Sequence, residues 1–254
     1  MRSPHPPLTE PLFYCAALDD NEVVLTDDEA HHVGVQRLRA GDAIAVFDGR
    51  GQVARGTVRA IGHREVRVTV EQRTHEPRPV PRLALYSAVP KGDRLTVLLD
   101  MATQLGMSRF TPINWQRSVA EPGARAHARW QRICLEACKQ SRRAWLPEIM
   151  PPASLAEAIA SARAAGDRLI AAHPASDAVS VLALHLADAP SIALFVGPEG
   201  GMTEAEVEML RREHARLVHL GPGILRIETA AVALLALSGA WAAARQLPER
   251  PDNQ

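Results

Sequence analysis

Three charged residues stand within two glycine-containing segments near the end of the chain. The first segment, Val196–Gly201, reads VGPEGG and contains Glu199, and the second, Leu220–Ala230, reads LGPGILRIETA and contains Arg226 and Glu228. Each lies between an apolar run of strand type and a run of helix type, which is the position at which open α/β sheets bind ligands. Glycines let a ligand approach the backbone, and the charged side chains supply polar contacts. We call these segments the first and second glycine loops, and together they indicate a binding or catalytic site.

A structural role explains part of each loop. Thr203 and Glu206 match a capping box, so some of the polarity after the first loop marks the start of a helix. Thr229 is of a type that caps the helix after the second loop. Capping does not account for the proline and two glycines before Thr203, and the pattern alone leaves ligand binding and capping open there. Arg226 and Glu228 stand between apolar neighbours, where a charged pair has a partner or a function.

One further glycine motif is excluded by its context. Gly49–Ala54 matches G-x-G-x-x-A, the phosphate-binding fingerprint of dinucleotide enzymes. That fingerprint needs a following helix, whereas Val53–Val58 has the pattern of a second strand, so Asp48-Gly49 is predicted to be a hairpin turn. The sequence also contains no G-x-x-x-x-G-K-[ST] motif.

The elements that position these loops follow from the hydrophobic pattern. From about Leu8 to Val70, short and regularly spaced strands predict a small antiparallel barrel, with a capping box at Thr26–Glu29 starting a short helix. Three prolines between Thr74 and Pro81 predict a linker. Later strands are predicted at 83–89, 109–114, 169–172, 192–196 and 217–220, and helices at 93–105, 129–144, 203–214 and 230–244. This alternation predicts a mostly parallel sheet covered by helices.

Composition sets bounds on partners and compartment. The 254 residues include 29 Lys and Arg and 29 Asp and Glu, so a nucleic-acid site must be a local patch. Cys15, Cys134 and Cys138 form no metal-spaced cluster with histidines, and we expect a reduced cytoplasmic compartment and no metal. Cys134 and Cys138 have the spacing of core residues on one helix. The most apolar stretch, Ala230–Ala244, is too short to span a bilayer, so no membrane partner is expected.

One predicted helix carries charge on a single face. Steps of three and four place these residues together: Arg129, Arg132, Glu136, Lys139 and Arg143. A solvated face, with Glu136 partly neutralising the arginines, explains this pattern by itself. Arg117, Arg125 and Arg142 nearby make a phosphate-binding patch the alternative.

With these features the chain resembles the knotted, SPOUT-type RNA methyltransferases, and among them those that methylate N3 of a uridine in small-subunit ribosomal RNA. The resemblance covers nearly the whole chain. Besides the glycine loops it rests on these segments: His31-His32 with Arg37–Asp42, Lys91–Arg94, Gln104–Gly106, and Glu136 with Gln140–Arg143. Gly223 departs from the pattern, because many members carry a basic residue there.

The resemblance implies an α/β fold with two domains. It implies a PUA-like β-barrel that binds RNA at 1–73, a linker at 74–82, and a knotted methyltransferase domain with a mostly parallel sheet at 83–247. It further implies S-adenosylmethionine as cofactor, 16S ribosomal RNA of the small subunit as partner, and a homodimer paired partly through residues 231–244. Arg37 and Arg39 are then candidates for RNA contact from the barrel.

The resemblance also assigns roles within the loops. We expect Arg226 to stabilise an anionic uracil, and Glu199 or Glu228 to shape the site or take the N3 proton. The expected cofactor-binding residues are Val196, Gly197, Glu199, Gly200, Leu220, Gly221, Ile224, Leu225, Arg226 and Thr229. The expected RNA-binding residues are Arg37, Arg39, Arg117, Arg129, Arg132, Lys139, Arg142 and Arg143. Two alternatives stay open: the same chemistry on another RNA such as transfer RNA, and a non-catalytic RNA-binding adaptor, against which the intact loops argue.

Overall fold

The computed structural model describes residues 9–119, 126–174, 177–184, 186 and 189–244. The chain divides into two compact units. The N-terminal unit comprises Arg2–Arg78 and Leu135–Leu146, and the C-terminal unit comprises Pro79–Cys134 and Pro147–Gln254. The domain boundaries predicted at residues 73 and 83 remain predictions.

The N-terminal unit contains a five-stranded sheet in the order β1-β3-β4-β5-β2. Its strands are β1 (Leu12–Tyr14), β2 (Glu22–Thr26), β3 (Ala43–Phe47), β4 (Gln52–Ile61) and β5 (Glu65–His75). The β1–β3 pair is parallel and the others are antiparallel. The predicted hairpin at Asp48-Gly49 is confirmed: Phe47 pairs with Val53, and Asp48 Oδ1 accepts from the Arg50 and Gln52 amides at 2.7 and 3.0 Å.

Alternating burial along these strands makes the core of the N-terminal unit. In β5 the even residues Val66 and Val68 are buried and their neighbours are exposed, as a period of two requires. Gly56 lies where a bulge shifts the register of β4. A Cβ there would lie 1.9 Å from the Thr69 carbonyl oxygen, so only glycine fits.

The capping box predicted for α1 (Asp27–Val35) is wrong. Thr26 is the N-cap, but its side chain makes no capping hydrogen bond, and Asp27 takes a left-handed φ of 49°. The Glu29 carboxylate instead accepts from the Tyr14 amide at 3.1 Å and from Lys139 at 2.8 Å. The Glu29 carboxylate, which a capping box would bond to the local backbone, therefore binds residues distant in sequence.

The C-terminal unit contains an eight-stranded sheet with the order β11-β13-β10-β12-β6-β7-β8, and β9 pairs with β7. Its strands are β6 (Arg82–Ser87), β7 (Met107–Asn114), β8 (Glu148–Ile149), β9 (Ala153–Ser154), β10 (Arg168–Ala172), β11 (Val179–Ser180), β12 (Ser191–Val196) and β13 (Arg216–His219). Within the described residues, all strand pairs of this sheet are parallel. The predicted α/β class with a mostly parallel sheet is confirmed, whereas the knot remains a prediction.

Helices between these strands cover the sheet. They are α2 (Arg94–Gln104), α3 (Ala126–Ser141), α4 (Leu155–Ala164), α5 (Glu204–Arg212) and α6 (Ile227–Ala244), with a 3-10 turn at Val181–Ala183. Tyr86 and Phe195 stack at 4.8 Å in the core between neighbouring strands, and Cys134 is buried as predicted. Burial raises the pKa of the Cys134 thiol to about 11, so this thiol stays protonated. Within the described residues no helix is long and apolar enough to cross a membrane.

Helix α3 ends earlier than predicted. It stops at Ser141, and Arg142 takes a left-handed φ of 57°, which a helix does not tolerate. Arg143 therefore lies outside the helix, and the predicted charged face ends at Lys139. In the N-terminal unit the last turns of α3 and the segment after it pack with strand residues in one apolar cluster: Leu12, Ala45, Phe47, Val53, Cys138 and Ala144.

Candidate functional site

The two glycine loops lie at one edge of the parallel sheet of the C-terminal unit. The first follows β12 and the second follows β13, with β10 between these two strands. Because parallel strands point the same way, the loops at their carboxyl ends emerge at the same edge, where α/β proteins bind ligands. The predicted position of the candidate site follows from this topology.

Local packing fixes the first glycine loop. Val196 is buried at the end of β12, and a Cβ on Gly197 would lie 2.8 Å from Met202 Cγ. Gly201 has a φ of 74° and donates its amide to the Pro198 carbonyl at 2.9 Å, which closes a turn. The loop is therefore a preformed bend and not an open coil.

The capping box after this loop is confirmed. The Thr203 side chain accepts from the Glu206 amide at 3.3 Å, and Glu206 Oε2 accepts from the Thr203 amide at 2.7 Å. Glu206 Oε1 also accepts from the Gln116 amide at 2.8 Å. The first turn of α5 thereby ties the loop after β7 to the loop after β12.

Two arginines contact the first glycine loop. Arg94 Nη1 lies 2.7 Å from Glu199 Oε1, and Arg117 Nη1 donates to the Gly200 carbonyl at 2.9 Å. Arg117 was expected to bind RNA, and the structure places its guanidinium against the loop backbone. Sequence reasoning gave Arg94 no role, although it stands in the Lys91–Arg94 segment that supports the family resemblance.

The second glycine loop is exposed. Gly221 through Arg226 are all exposed, and the Ile224 side chain is 100% exposed. Gly221 has a φ of 121°, and a Cβ on Gly221 or Gly223 would meet open space. The carbonyls of Gly221–Leu225, and the amides of these residues other than Pro222, form no hydrogen bond with other described residues, so they are available to a ligand.

Arg226 and Glu228 do not pair with each other among the described residues. The Arg226 side chain is exposed, and its carbonyl accepts from the Ala230 amide at 2.9 Å in the first turn of α6. Glu228 is partly buried, and its Oε2 is buried without a hydrogen-bond partner in the described part of the chain. Thr229 is exposed on the same turn. Glu228 therefore keeps one acceptor oxygen unused, whereas Glu199 has a cationic partner.

His173 belongs to the same edge, and sequence reasoning missed it. It directly follows β10, between the two glycine loops, and its amide donates to the Val218 carbonyl at 2.9 Å. Burial and then the nearby Arg211 lower the pKa of His173, while Asp177 opposes them. No sequence signal marks this residue, because it has no motif and only the strand order places it.

The expected RNA-binding arginines are in several environments. In the C-terminal unit Arg129 donates to Thr96 Oγ1 at 3.3 Å and lies 3.6 Å from Asp93. In the N-terminal unit Arg142 donates to the carbonyls of Thr9 and Glu10. The remaining exposed arginines of the expected set are Arg37, Arg39 and Arg132. Arg125 lies outside the described residues.

Lys139, which was expected to contact RNA, lies in a cluster of polar side chains in the N-terminal unit. Its ammonium lies 2.8 Å from Glu29 Oε1, 2.7 Å from Glu136 Oε1 and 3.0 Å from His32 Nδ1, and its side chain is 9% exposed. Ligand atoms of Glu29, His32 and Glu136 lie within 4.8 Å of one another, a spacing that suits a metal ion. The lysine ammonium already lies among these atoms, so the cluster is an enclosed ion pair.

Two family descriptions match the chain. One, an RNA methyltransferase domain, matches residues 76–239, and the other, an RNA methyltransferase PUA domain, matches residues 25–71. The second match supports the expected PUA-like nature of the N-terminal strands.

Known relatives align over most of the chain. The present chain is 33% identical over 227 residues to ribosomal RNA small subunit methyltransferase E of Bacillus subtilis, and the alignment covers 84% of this chain and 88% of that protein. It is 31% identical over 241 residues to the protein of the same name from Mycobacterium bovis, covering 90% of each. The structure resembles that of ribosomal RNA small subunit methyltransferase E from Neisseria gonorrhoeae bound to S-adenosyl methionine, with a TM-score of 0.81, 27% identity, and 89% and 95% of the two chains covered.

Proposed function

Because this chain belongs to the RNA methyltransferase family, we propose that it transfers a methyl group from S-adenosylmethionine to N3 of one uridine in the 16S RNA of the small ribosomal subunit. The observation that carries this proposal is the pair of glycine loops at one edge of a parallel sheet. The names of the relatives support ribosomal RNA as the acceptor, and the ligand of the Neisseria gonorrhoeae structure supports the donor.

The second glycine loop fits the adenosine part of the donor. Backbone groups at Leu220, Gly221 and Leu225 are the proposed contacts of the adenine, and the unpaired amides and carbonyls of this loop suit that task. The other residues proposed to hold the donor are Val196, Gly197, Glu199, Gly200, Ile224, Arg226 and Thr229. The donor supplies an electrophilic methyl group on a sulfonium, so the protein's part is to place the acceptor and to manage its proton.

The acceptor nitrogen carries a proton that must leave. Arg226 is exposed at the end of the second glycine loop, where its guanidinium is free to face a uracil and stabilise the anionic ring. Glu199 is held by Arg94 at 2.7 Å, whereas Glu228 Oε2 has no partner within the described residues. We assign proton acceptance to Glu228 and a positioning role to Glu199, because Glu228 forms no ion pair among the described residues and its carboxylate can receive a proton without breaking one.

Arginines on both units are the proposed contacts to the RNA backbone. In the N-terminal unit Arg37 and Arg39 are exposed between α1 and β3, in the region matched by the PUA description. The remaining proposed contacts are Arg117, Arg129, Arg132, Arg142 and Arg143. Guanidinium groups contact phosphate with paired donors, so these residues position the RNA and leave the choice of base to the site.

Helix α6 is the proposed dimer contact. Its residues Val232, Ala233, Ala236 and Leu237 are only partly buried in the single chain, which leaves apolar surface for a second copy. The enzyme would then act as a homodimer in the cytoplasm, where small subunits are assembled. Light scattering on the purified protein tests the dimer, and a monomeric mass at micromolar concentration would contradict it.

A methylation assay tests the function. Labelled S-adenosylmethionine is incubated with the protein and either small subunits or bare 16S RNA that lack the modification, and the labelled nucleoside is mapped. We expect N3-methyluridine at one position. Label at another nucleoside or only in transfer RNA would contradict the acceptor, and donor binding without transfer to any RNA would favour an adaptor.

A further inference from the structure

We propose that the N-terminal unit binds single-stranded RNA at a surface around Trp145, by stacking a base on Arg78 and contacting phosphates through Arg50 and Arg143. We call these four residues the Trp145 platform. The nucleic-acid partner rests on the proposed function, but the platform shares no residue with the glycine loops. Arg143 also belongs to the proposed RNA-backbone contacts, and none of the four residues is proposed to bind the donor or to handle the proton.

The indole of Trp145 is held rigidly in the N-terminal unit. Its Nε1 donates to the Glu76 carbonyl at 3.0 Å, and its backbone forms an isolated antiparallel bridge with Arg50. A Cβ on Gly51 would lie 2.5 Å from Trp145 Cζ2, so the ring packs directly on the glycine backbone. His75 meets the ring edge at a centroid distance of 5.9 Å. A ring fixed on several sides loses little freedom on binding, which favours its use as a stacking surface.

Arg78 extends this ring toward solvent. Its guanidinium carbon lies 4.6 Å over the Trp145 centroid, and the side chain is exposed. A guanidinium that lies over an indole on one face presents its other face for a further planar group. Unstacked RNA bases bind in this manner to aromatic rings and to arginine planes. The bases of a duplex are already stacked on each other, so the platform suits a single strand.

The three arginines at Trp145 form no ion pair within the described part of the chain. Four other arginines of this unit have partners: Arg59 and Arg67 pair with Glu22, Arg64 pairs with Asp27, and Arg73 donates to backbone carbonyls. Arg50, Arg78 and Arg143 form no salt bridge with any residue that the structure describes. One of these arginines lies over the Trp145 ring, one is paired with Trp145 through the backbone, and one stands two positions before it. Together they attract a polyanion that also offers planar groups, and RNA combines the two.

Arg143 gives an independent indication of an anion. Its Nε is buried and has no hydrogen-bond partner among the described residues. Burial lowers the pKa of this guanidinium, and Cys138 and Glu76 offset the effect only in part. Nε itself is closed to solvent, but Arg143 is only partly buried, and a phosphate at its accessible part would balance the charge that burial leaves poorly solvated.

Filter binding of the full chain to a 16S RNA transcript over a range of salt concentrations tests the platform. The variants are Arg78→Ala, Arg78→Lys, Arg50→Ala and a control, Arg64→Ala, which removes an exposed arginine that pairs with Asp27. We expect Arg78→Ala to weaken binding about tenfold, as loss of one stacked base does. Arg78→Lys should lose nearly as much, because it keeps the charge and loses the plane. Arg50→Ala should reduce the salt slope by about one, and Arg64→Ala should bind like wild type.

Equal affinity of Arg78→Ala and Arg64→Ala would overturn the proposal and point to an acidic protein as the partner of these arginines. Wild-type affinity of Arg78→Lys would overturn the stacking. Arg78 is exposed, so its variants should retain the wild-type melting temperature, and a shared circular dichroism melt verifies this. The methylation assay separates the two proposals: wild-type transfer with unchanged RNA binding in Arg78→Ala refutes only the platform, whereas a wild-type protein that transfers no methyl group refutes only the proposed function.

Discussion

Arg94 and Glu199 form an ion pair that joins the start of α2 to the first glycine loop, with Nη1 2.7 Å from Oε1. The two residues are 105 positions apart, but their strands β6 and β12 are hydrogen-bonded neighbours, and Ser87 pairs with Val196 at the ends of these strands. Arg117 donates to the adjacent Gly200 carbonyl from a third loop. The first glycine loop is therefore held by side chains from the segments that follow β6, which is adjacent to β12, and β7, which is the next strand along the sheet.

Removal of this ion pair should lower methyl transfer more than stability. Both side chains of the Arg94–Glu199 pair are about a third exposed, so the pair stabilises the fold by about 1 kcal/mol or less. We expect Arg94→Ala to reduce kcat/KM about tenfold, because a loop shifted by about an ångström misplaces the reactants. Steady-state kinetics and urea unfolding on Arg94→Ala, Glu199→Ala and the double variant measure both effects. Additive losses would show that the two residues act independently.

Replacement of Arg226 should slow methyl transfer far more than it weakens donor binding. Arg226→Ala removes the cation proposed to stabilise the anionic uracil, and we expect single-turnover methyl transfer to slow about 100-fold. Calorimetry should show a much smaller loss of affinity for S-adenosylmethionine, because Arg226 is only one of several proposed donor contacts. Equal losses in rate and in donor affinity would show that Arg226 acts mainly through donor binding.

The two carboxylates should differ when each is made neutral. Glu228→Gln should slow transfer about 100-fold or more, because the variant cannot accept the N3 proton. The defect should shrink as pH rises, since the uracil then loses its proton without help. Glu199→Gln, the matched control, should show a smaller loss that is constant with pH. Identical pH profiles for the two variants would count against the assignment of Glu228.

The enclosed ion pair at Lys139 should matter for stability. Lys139→Met leaves Glu29 and Glu136 without their cation, and we expect unfolding free energy to fall by about 3 kcal/mol in urea titrations. The double variant Lys139→Met with Glu29→Gln should recover part of this loss. A different outcome would contradict this expectation. If Lys139→Met decreased the salt dependence of RNA binding and left stability unchanged, Lys139 would act as an RNA contact.

Protonation of His173 should destabilise the fold in mildly acidic solution. Its folded pKa lies below the usual 6.5, so the unfolded chain takes up a proton at a pH where the folded chain does not. The contribution of neutral His173 to the free energy of unfolding is complete above pH 6.5. It is lost as the pH falls from 6.5 toward the lowered pKa of the folded state. Asp177 acts in a separate window, because Arg211 lowers its pKa below 3.8. Urea unfolding should show that the free energy of unfolding falls less between about pH 7.5 and about pH 5.5 in His173→Gln than in the wild-type protein.

The sequence is sufficient to predict features that depend on nearby residues. The capping box at Thr203 and the hairpin at Asp48 each involve side chains within four positions, so local pattern specifies them. The edge that holds both glycine loops also follows from local pattern, because alternating strands and helices imply parallel strands.

Contacts between distant residues account for what the sequence does not reveal. Lys139 has the spacing of a solvated helix face, and its enclosure depends on Glu29, 110 positions away. Arg94 has no visible partner until β6 and β12 pair. Helix α3 ends where Arg142 takes a left-handed backbone conformation, which the sequence does not predict for an arginine.

The composition of the N-terminal unit from two separate stretches has a consequence for synthesis. Its apolar cluster includes Cys138 and Ala144 beside Phe47 and Val53, and Gly51 donates to the Ala144 carbonyl at 3.1 Å. A nascent chain that ends at Arg78 lacks all of the later partners. Although its strands are made first, this unit completes its core only after residue 146 has left the exit tunnel, when β6, α2 and β7 have already emerged. This chain therefore cannot complete the folding of its N-terminal unit before synthesis of the C-terminal unit begins.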